Sequence, residues 1–150
     1  MIQGVEVKNL RKYEDEGGWL SELFRTDETI LKPQMAYLSS VKPGVVRGPH
    51  EHLYQTDFFI FIGPGDFELH LWDNNKMSST YGKKLVMQAG ETNPISVKVP
   101  PRIVHAYKNL SDKPSIVINL PDKLYKGVNK KEAVDEIRYE NNNNSQFRVS

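Results

Sequence analysis

Imidazole and phenol side chains at two-residue spacing are the most chemically informative feature of this sequence. His50, His52 and Tyr54 alternate along one segment, and an extended strand would project all three from one face. Arg47 would project from the opposite face unless the intervening Gly48-Pro49 pair bends the strand. Two imidazoles on one face can bind a metal ion or form a proton-transfer pocket. The remainder of such a site must come from elsewhere in the chain.

A second segment supplies another histidine at the start of a predicted strand. His105 follows Pro100 and Pro101 and precedes Tyr107, so a proline turn leads into the strand that carries it. The sequence contains four histidines and no cysteine, which excludes thiol catalysis, cysteine-bound zinc and iron–sulfur chemistry. We predict that the fourth histidine, His70, lies outside the site.

The elements that must position these residues are short β-strands. Segments rich in Val, Ile, Phe and Tyr are separated by turns of Gly, Pro, Asn and Asp, and helical periodicity is confined to residues 130–136. Both alternating faces of residues 58–62 are apolar, which is typical of a central strand. The pattern predicts an all-β double-stranded β-helix, or jelly roll. The predicted strands are 4–10, 19–25, 34–41, 45–51, 57–63, 66–73, 84–88, 95–99, 103–108 and 115–120.

The length and net charge of the chain exclude several classes of protein. The chain has 150 residues and a formal net charge of +1, which fits one domain, placed at residues 1–140, with a polar C-terminal tail at 141–150. No basic block is present for nucleic acid, and the longest apolar run, 58–62, is too short to cross a bilayer. We therefore expect a cytoplasmic protein that binds neither nucleic acid nor membranes.

The two histidine segments together resemble the paired motifs of the cupin superfamily. The first motif contains a glycine, His-x-His, an acidic residue and a second glycine, and the second contains a proline, a histidine and an asparagine. Arg102 stands where the family usually has a glycine after the proline. The matching residues are Gly48, His50, His52, Asp57, Gly65, Pro100, His105 and Asn109.

Within the cupins, the chain resembles the dTDP-4-dehydrorhamnose 3,5-epimerase family over about residues 13–140. Residues 45–50 are similar to that family's G-V-x-R-G-x-H element. Further segments agree in order along the chain. These are 15–24 with D-x-R-G-x-x-x-E-x-F, 71–82 with V-D-x-R and S-P-T-F-G, 99–107 with I-P-x-G-F-A-H-G-F, and 135–139 with I-R-W.

The resemblance implies an isomerase acting on a dTDP-4-keto-6-deoxyhexose in surface or spore polysaccharide synthesis. Such an enzyme removes a proton beside the keto group, forms an enolate and reprotonates the opposite face, and we expect no metal cofactor. The implied base is His50, with His105 and Tyr107 as further catalytic residues. A homodimer paired through the edge strand 4–10 is also expected. The implied substrate contacts are Arg47, His52, Tyr54, Gln55 and Asp57.

Four positions depart from the family's pattern. Asp57 occupies the position of a lysine that would stabilise the enolate, and Ile118 or Asn119 occupies that of the catalytic tyrosine. The carboxylate that orients the base would be Asn141 or Glu140, and Gly17 replaces an arginine of the diphosphate site. In this interpretation Tyr54 or Tyr107 replaces the missing acid.

Two alternatives to this hypothesis remain open. In one, His50, His52, His105 and Asp57 bind a divalent metal with open positions for substrate. Strand alternation requires a turn near residues 54–56 to bring Asp57 inward. In the other, the pocket binds a sugar or nucleotide sugar without converting it.

Overall fold

A computed structural model describes residues 1–149 of the protein. This part of the chain forms twelve β-strands and one 3₁₀ turn at Val128–Lys130. The strands are Glu6–Asn9 (β1), Tyr13–Asp15 (β2), Gly18–Leu20 (β3), Tyr37–Val41 (β4), Val46–Glu51 (β5), Asp57–Phe61 (β6), Asp66–Asp73 (β7), Lys84–Gly90 (β8), Ile95–Val99 (β9), Ile103–Asn109 (β10), Ser115–Asn119 (β11) and Ile137–Arg138 (β12).

Two five-stranded antiparallel sheets form the body of the fold. The first sheet has the order β1-β9-β6-β11-β4, and the second has the order β12-β5-β10-β7-β8. Strands β2 and β3 form a separate hairpin. Crossovers between the sheets bring sequence-distant strands together, so β5 lies beside β10. The predicted all-β jelly roll is confirmed.

The core lies between the two sheets. Phe59 and Phe61 of β6 pack in one cluster with Leu69 and Leu71 of β7, and burial of such side chains contributes about 1.5–3 kcal/mol each to folding. Ile60, between the two phenylalanines, packs in a different cluster on the other side of the first sheet. Both faces of β6 are therefore covered, as the sequence predicts.

Two sequence predictions are wrong. Of the strand expected at 19–25, only residues 18–20 are extended, and they pair with 13–15. The helix expected at 130–136 is replaced by the 3₁₀ turn and irregular backbone. The physical reason is that Asp135 and Glu136 at its end use their carboxylates in contacts with other parts of the chain, described below, rather than on one face of a helix.

The outer face of the second sheet is covered by the C-terminal segment. The ring of Phe147 lies 5.9 Å from that of Trp72 and 4.8 Å from that of Tyr139, measured between centroids. Glu51 is buried beneath these rings and accepts hydrogen bonds from Asn74 and from the Tyr139 hydroxyl. Residues 1–149 contain no helix with the length and apolar character needed to cross a bilayer.

Candidate active site

His50 and His105 lie side by side and face the space between the sheets. They are direct partners in the β5–β10 pairing, with ring centroids 4.4 Å apart. The pairing register shifts immediately afterwards, so that Arg47 lies opposite Tyr107. Gly48 makes this possible, because it has a φ of +83° and a Cβ there would lie 2.5 Å from the His105 carbonyl oxygen. The bend that the sequence permits at Gly48 thus brings Arg47 to the same side as His50.

His52 lies on the chain that crosses from β5 to β6, and Asp57 begins β6 on the other sheet. Oδ2 of Asp57 lies 3.3 Å from Nε2 of His52 and 3.4 Å from Nε2 of His105. Oδ1 of Asp57 accepts hydrogen bonds from Gln55 Nε2 and Asn119 Nδ2, each at 2.8 Å. The turn at 52–56 therefore rotates the carboxylate toward the histidines, as strand alternation requires.

Asp135 holds this turn in place from the C-terminal segment. Its carboxylate accepts hydrogen bonds from the backbone N–H groups of Leu53, Tyr54 and Gln55, each at 2.9 Å. Its backbone carbonyl accepts a hydrogen bond from Nδ1 of His52. One residue therefore fixes both the loop backbone and the orientation of the His52 ring.

Replacing Asp135 by alanine is expected to leave three loop N–H groups without their acceptor. The free energy of unfolding should fall by about 1–3 kcal/mol, measured by urea denaturation, and KM for substrate should rise because the loop forms one wall of the site. Asp112→Ala, at an exposed turn residue, is the control and should change unfolding by less than about 0.5 kcal/mol. Equal destabilisation by both substitutions would contradict this role.

The three histidines of the site have different pKa values because their surroundings differ. Burial, together with the nearby His105 and His52, lowers the pKa of His50 to about 2, and burial also lowers the pKa of His105. Burial acts in the same direction on His52, but the hydrogen bond and charge of Asp57 outweigh it and raise the pKa of His52 to about 9. For Asp57, burial is outweighed by His52 and His105, so its pKa falls to about 2. Two neutral rings thus lie beside one His52–Asp57 ion pair.

The first sheet forms the opposite wall of the site. Tyr37 on β4 lines the same cavity as His50 and pairs with Asn119 on β11. Burial and the charges of Tyr125, Asp57 and Glu136 raise the pKa of Tyr37, so its phenol is a proton donor at neutral pH. Tyr37 could not be predicted as a site residue from the sequence, because it is a single aromatic residue within a predicted strand and no motif surrounds it.

Tyr107 lies deeper, on the same sheet as His50. Its ring packs against Phe59, Phe61 and Phe67 at centroid distances of 5.8, 5.8 and 5.6 Å. Burial raises its pKa to about 12. Tyr107 lines both the main cavity and a smaller adjoining one that Arg47 also lines. Tyr107 therefore forms part of the cavity floor.

Glu136 faces His50 from the C-terminal segment, a contact that the sequence did not predict. Its Oε1 lies 3.7 Å from Nε2 of His50, and its Oε2 accepts a hydrogen bond from Nε of Arg138 at 2.8 Å. The family resemblance places the partner of the base at Glu140 or Asn141. Glu140 instead lies 3.5 Å from Nη1 of Arg138, so the carboxylate beside His50 precedes the I-R-Y segment.

The cavity has a volume of about 600 Å³, within the range of about 300–1,000 Å³ that is usual for ligand sites. Lys123, Lys126 and Arg138 line it and supply positive charge on one part of the wall. Tyr54 also lines it and is 71% exposed, whereas Gln55 is held between His52 and Asp57. Arg47 lines only the smaller adjoining cavity among those described.

The histidine cluster also fits the coordination chemistry of a divalent metal. One ring nitrogen each from His50, His52 and His105 lies within 4.8 Å of the other two. Imidazole nitrogens with one carboxylate oxygen, here from Asp57, are common ligands of zinc and related ions. The expectation that no metal cofactor is needed remains a prediction.

Comparison with known proteins identifies the family. The family model for dTDP-4-dehydrorhamnose 3,5-epimerase matches residues 1–142. The probable low-salt glycan biosynthesis epimerase Agl13 of Haloferax volcanii is 37% identical over 127 residues, covering 83% of this chain and 81% of that protein. The spore coat polysaccharide biosynthesis protein SpsL of Bacillus subtilis is 36% identical over 119 residues, covering 79% and 78%.

Solved structures agree on the fold. The dTDP sugar isomerase of Desulfovibrio desulfuricans superposes with a TM-score of 0.82 at 23% identity, covering 95% of this chain and 87% of that chain. The family match spans β1 to β12 and includes every residue of the cavity described above. The chain therefore belongs to the dTDP-4-dehydrorhamnose 3,5-epimerase family and is an enzyme of that isomerase type.

Proposed function

We propose that the protein inverts one or both carbons beside the keto group of a dTDP-4-keto-6-deoxyhexose. The observation that carries this proposal is the placement of His50, His52 and Tyr37 around one cavity, in a member of this family. The relative Agl13 is named for glycan biosynthesis and the relative SpsL for spore coat polysaccharide biosynthesis. These names support a role for this protein in the synthesis of a surface or spore polysaccharide.

His50 acts as the base. Its neutral ring has a free nitrogen lone pair at neutral pH, because its pKa is about 2. A ring of such low pKa is a weak base by itself. The carboxylate of Glu136, 3.7 Å away, stabilises the imidazolium as the proton is transferred. Glu136 is thus a positioning residue that acts through His50.

His52 stabilises the enolate. The resembled family places a lysine where this chain has Asp57, and the Asp57 carboxylate instead keeps His52 protonated. Both ring nitrogens of His52 already have partners, Asp135 at Nδ1 and Asp57 at Nε2, so the positive charge of the ring, rather than a free N–H, acts on the developing oxyanion. The single cation of the family pattern is therefore replaced here by an ion pair whose positive member is His52.

Tyr37 supplies a proton from the other face of the sugar. Inversion requires the acid and the base to act on opposite faces of the ring, and Tyr37 belongs to the sheet across the cavity from His50. Tyr107 is on the same sheet as His50, so its position suits reprotonation of the opposite face less well. After each turnover, solvent returns a proton to Tyr37 and removes one from His50.

The diphosphate of the substrate requires cations. Lys123, Lys126 and Arg138 border the cavity, and such groups bind phosphate oxygens through charge-assisted hydrogen bonds. Arg47, the residue favoured by the sequence pattern, lines the smaller cavity together with His50. Its position supports a contact with the sugar or the enolate rather than with the diphosphate.

Heavy-water exchange tests the proposal. The protein is incubated with dTDP-4-keto-6-deoxyglucose in D₂O, and deuterium at C3 and C5 is measured by NMR together with the configuration of the product. Deuterium incorporation with inversion at either carbon is expected. Thermal stabilisation by the nucleotide sugar with no exchange over long incubation would instead establish a binding protein.

Replacing His52 by glutamine tests the enolate stabiliser. Glutamine can donate a hydrogen bond but carries no charge, so we expect kcat for exchange to fall by about 10²-fold with a smaller change in KM. Asp57→Asn should give a similar loss, because it removes the charge that keeps His52 protonated. Unchanged kcat in both variants would rule out this role, and circular dichroism of each variant checks that it is folded.

A homodimer and a cytoplasmic location remain predictions. Strand β1 lies at the edge of the first sheet, where unpaired backbone groups can accept a strand from a second copy. Light scattering coupled to gel filtration should give twice the mass of the chain, and a monomeric mass at micromolar concentration would contradict the prediction.

A further inference from the structure

We propose that Asn119 is a positioning residue for the enolate stabiliser, because its side-chain amide fixes the carboxylate of Asp57 in the orientation that serves His52. The proposal rests on the proposed function, in which the charge of His52 stabilises the enolate, and it gives a role to a residue that the mechanism above does not use. Three features support it: the place of Asn119 in the first sheet, the two partners of its amide, and the surroundings of the Asp57 oxygen that the amide leaves free.

Asn119 lies on the strand between those that carry Asp57 and Tyr37. In the first sheet β11 is flanked by β6, which begins with Asp57, and by β4, which begins with Tyr37. Asn119 is the direct partner of Tyr37 in the β11–β4 pairing, and paired residues project their side chains from the same face. The neighbouring Ile118 packs on the other face, in the cluster that contains Ile60. The side chain of Asn119 therefore lines the cavity beside the proposed acid.

The amide of Asn119 has one orientation that satisfies both of its partners. Its Nδ2 donates to Oδ1 of Asp57 at 2.8 Å, and its Oδ1 accepts a hydrogen bond from the backbone N–H of Phe58 at 3.0 Å. An ionised carboxylate can only accept and a backbone N–H can only donate, so an exchange of the amide oxygen and nitrogen would lose both bonds. The side chain thus ties the carboxylate of Asp57 to the backbone of the residue that follows it.

The carboxylate of Asp57 needs this restraint because the neighbours of Oδ2 act on it in opposite directions. The protonated Nε2 of His52 lies 3.3 Å away and attracts it. Nε2 of His105 lies 3.4 Å away and has no hydrogen to donate, because Nδ1 of that neutral ring donates to the carbonyl oxygen of Ile103. The terminal torsion of an aspartate is broad. Without a bond to Oδ1, the carboxylate could rotate away from His105 and alter its contact with His52.

Gln55 supplies a second hydrogen bond to Oδ1 of Asp57, also at 2.8 Å. Gln55 lies in the loop between β5 and β6, whose backbone is held by Asp135, whereas Asn119 belongs to a strand that is paired on both sides. The strand residue is therefore the more rigid of the two supports. Because the charge of His52 acts on the enolate and not on the bound ketone, loss of this support lowers kcat more than it changes KM.

Replacing Asn119 by serine tests the proposal with a small, uncharged side chain. The hydroxyl is too short to reach both Asp57 and Phe58. We expect kcat for deuterium exchange to fall by at least about tenfold, with KM changed by less than about threefold, because a small misplacement of a catalytic group has a large effect on rate. A residue that only supported the fold would lower the urea midpoint without this separation of kcat from KM.

The matched control is Asn109→Ser, at a buried asparagine that ends β10. Its amide donates to the backbone carbonyls of Val41 and Lys113 and accepts a hydrogen bond from Ser115. Asn109 is absent from the lining of the main cavity. Asn109→Ser should therefore lower the urea midpoint at least as much as Asn119→Ser does, but leave kcat unchanged at a temperature where the variant is folded.

A measurement without substrate examines the contact itself. In protein labelled with ¹⁵N at histidine, the N–H of His52 that faces Asp57 should give a proton resonance at low field, which is identified by its absence in His52→Gln. The resonance should move or broaden in Asn119→Ser, because the carboxylate that accepts this hydrogen is no longer held in place. It should stay in place in Asn109→Ser.

These results distinguish the role of Asn119 from the isomerase function. An unmoved resonance in folded Asn119→Ser, or a smaller fall in kcat than expected, overturns the proposal. An equal fall in kcat in Asn109→Ser attributes the effect to stability and also overturns it. If Asn119→Ser displaces the resonance but the wild-type protein catalyses no deuterium exchange, Asn119 positions Asp57 as proposed and the isomerase function is wrong.

Discussion

Replacing His50 by asparagine is expected to reduce deuterium exchange at C3 and C5 by at least about 10³-fold. The amide cannot accept the carbon-bound proton, although it is close to imidazole in size and can occupy the same cavity. His50 and Glu136 are both mostly buried, with side-chain exposures of 18% and 15%, so bulk water has limited access to replace the base. Exchange is measured by NMR and nucleotide-sugar binding by calorimetry.

The control for this substitution is a buried histidine outside the site. His70 is stacked on Trp72 with ring centroids 5.6 Å apart, so His70→Asn reports any general cost of losing a packed imidazole. Wild-type exchange is expected in that variant at a temperature where it is folded. Full exchange in His50→Asn would refute His50 as the base, and an equal loss in both variants would indicate a stability effect.

Replacing Tyr37 by phenylalanine is expected to separate exchange from inversion. His50 can still remove the proton and return deuterium to the same face, so isotope incorporation continues. Formation of the inverted product should fall by about 10²–10⁴-fold, because no donor of matched position remains on the opposite sheet. The measured quantity is the ratio of inverted to retained product in D₂O. If Tyr37 had only a structural role, its replacement would leave this ratio unchanged.

Tyr54→Phe and Tyr107→Phe are the matched comparisons, since both residues line the same cavity and were the acids suggested by the sequence. Each is expected to keep the wild-type ratio of inverted to retained product. If Tyr107→Phe loses inversion while Tyr37→Phe does not, the acid acts from the floor of the cavity, and the assignment of Tyr37 is wrong.

The sequence predicts the fold and the histidine cluster well because both depend on local patterns. Alternation in β6 and the turns around it define strands directly, and the spacing of His50 and His52 defines a shared direction. The meeting of His50 with His105 requires only that β5 and β10 be neighbours, which the paired motifs indicate. The bend at Gly48 could also be anticipated, because glycine followed by proline interrupts strand alternation.

The carboxylates that contact the histidines and the loop beside them could not be predicted in the same way. Asp135 and Glu136 lie in a segment whose charge and spacing suggest a helix, and their contacts with residues 52–55 and His50 join parts of the chain about 80 residues apart. Tyr37 reaches the cavity only because β4 pairs with β11. Such contacts depend on tertiary packing, which no local pattern encodes.

The Asp135 contact also determines when the site can form during synthesis. The loop at 52–56 is translated early, whereas Asp135 follows eleven of the twelve strands. A chain still lacking this residue can build most of both sheets but has three unpaired loop amides and an unoriented His52. Assembly of the sheets can therefore precede completion of the site, which needs Asp135 to dock against the loop.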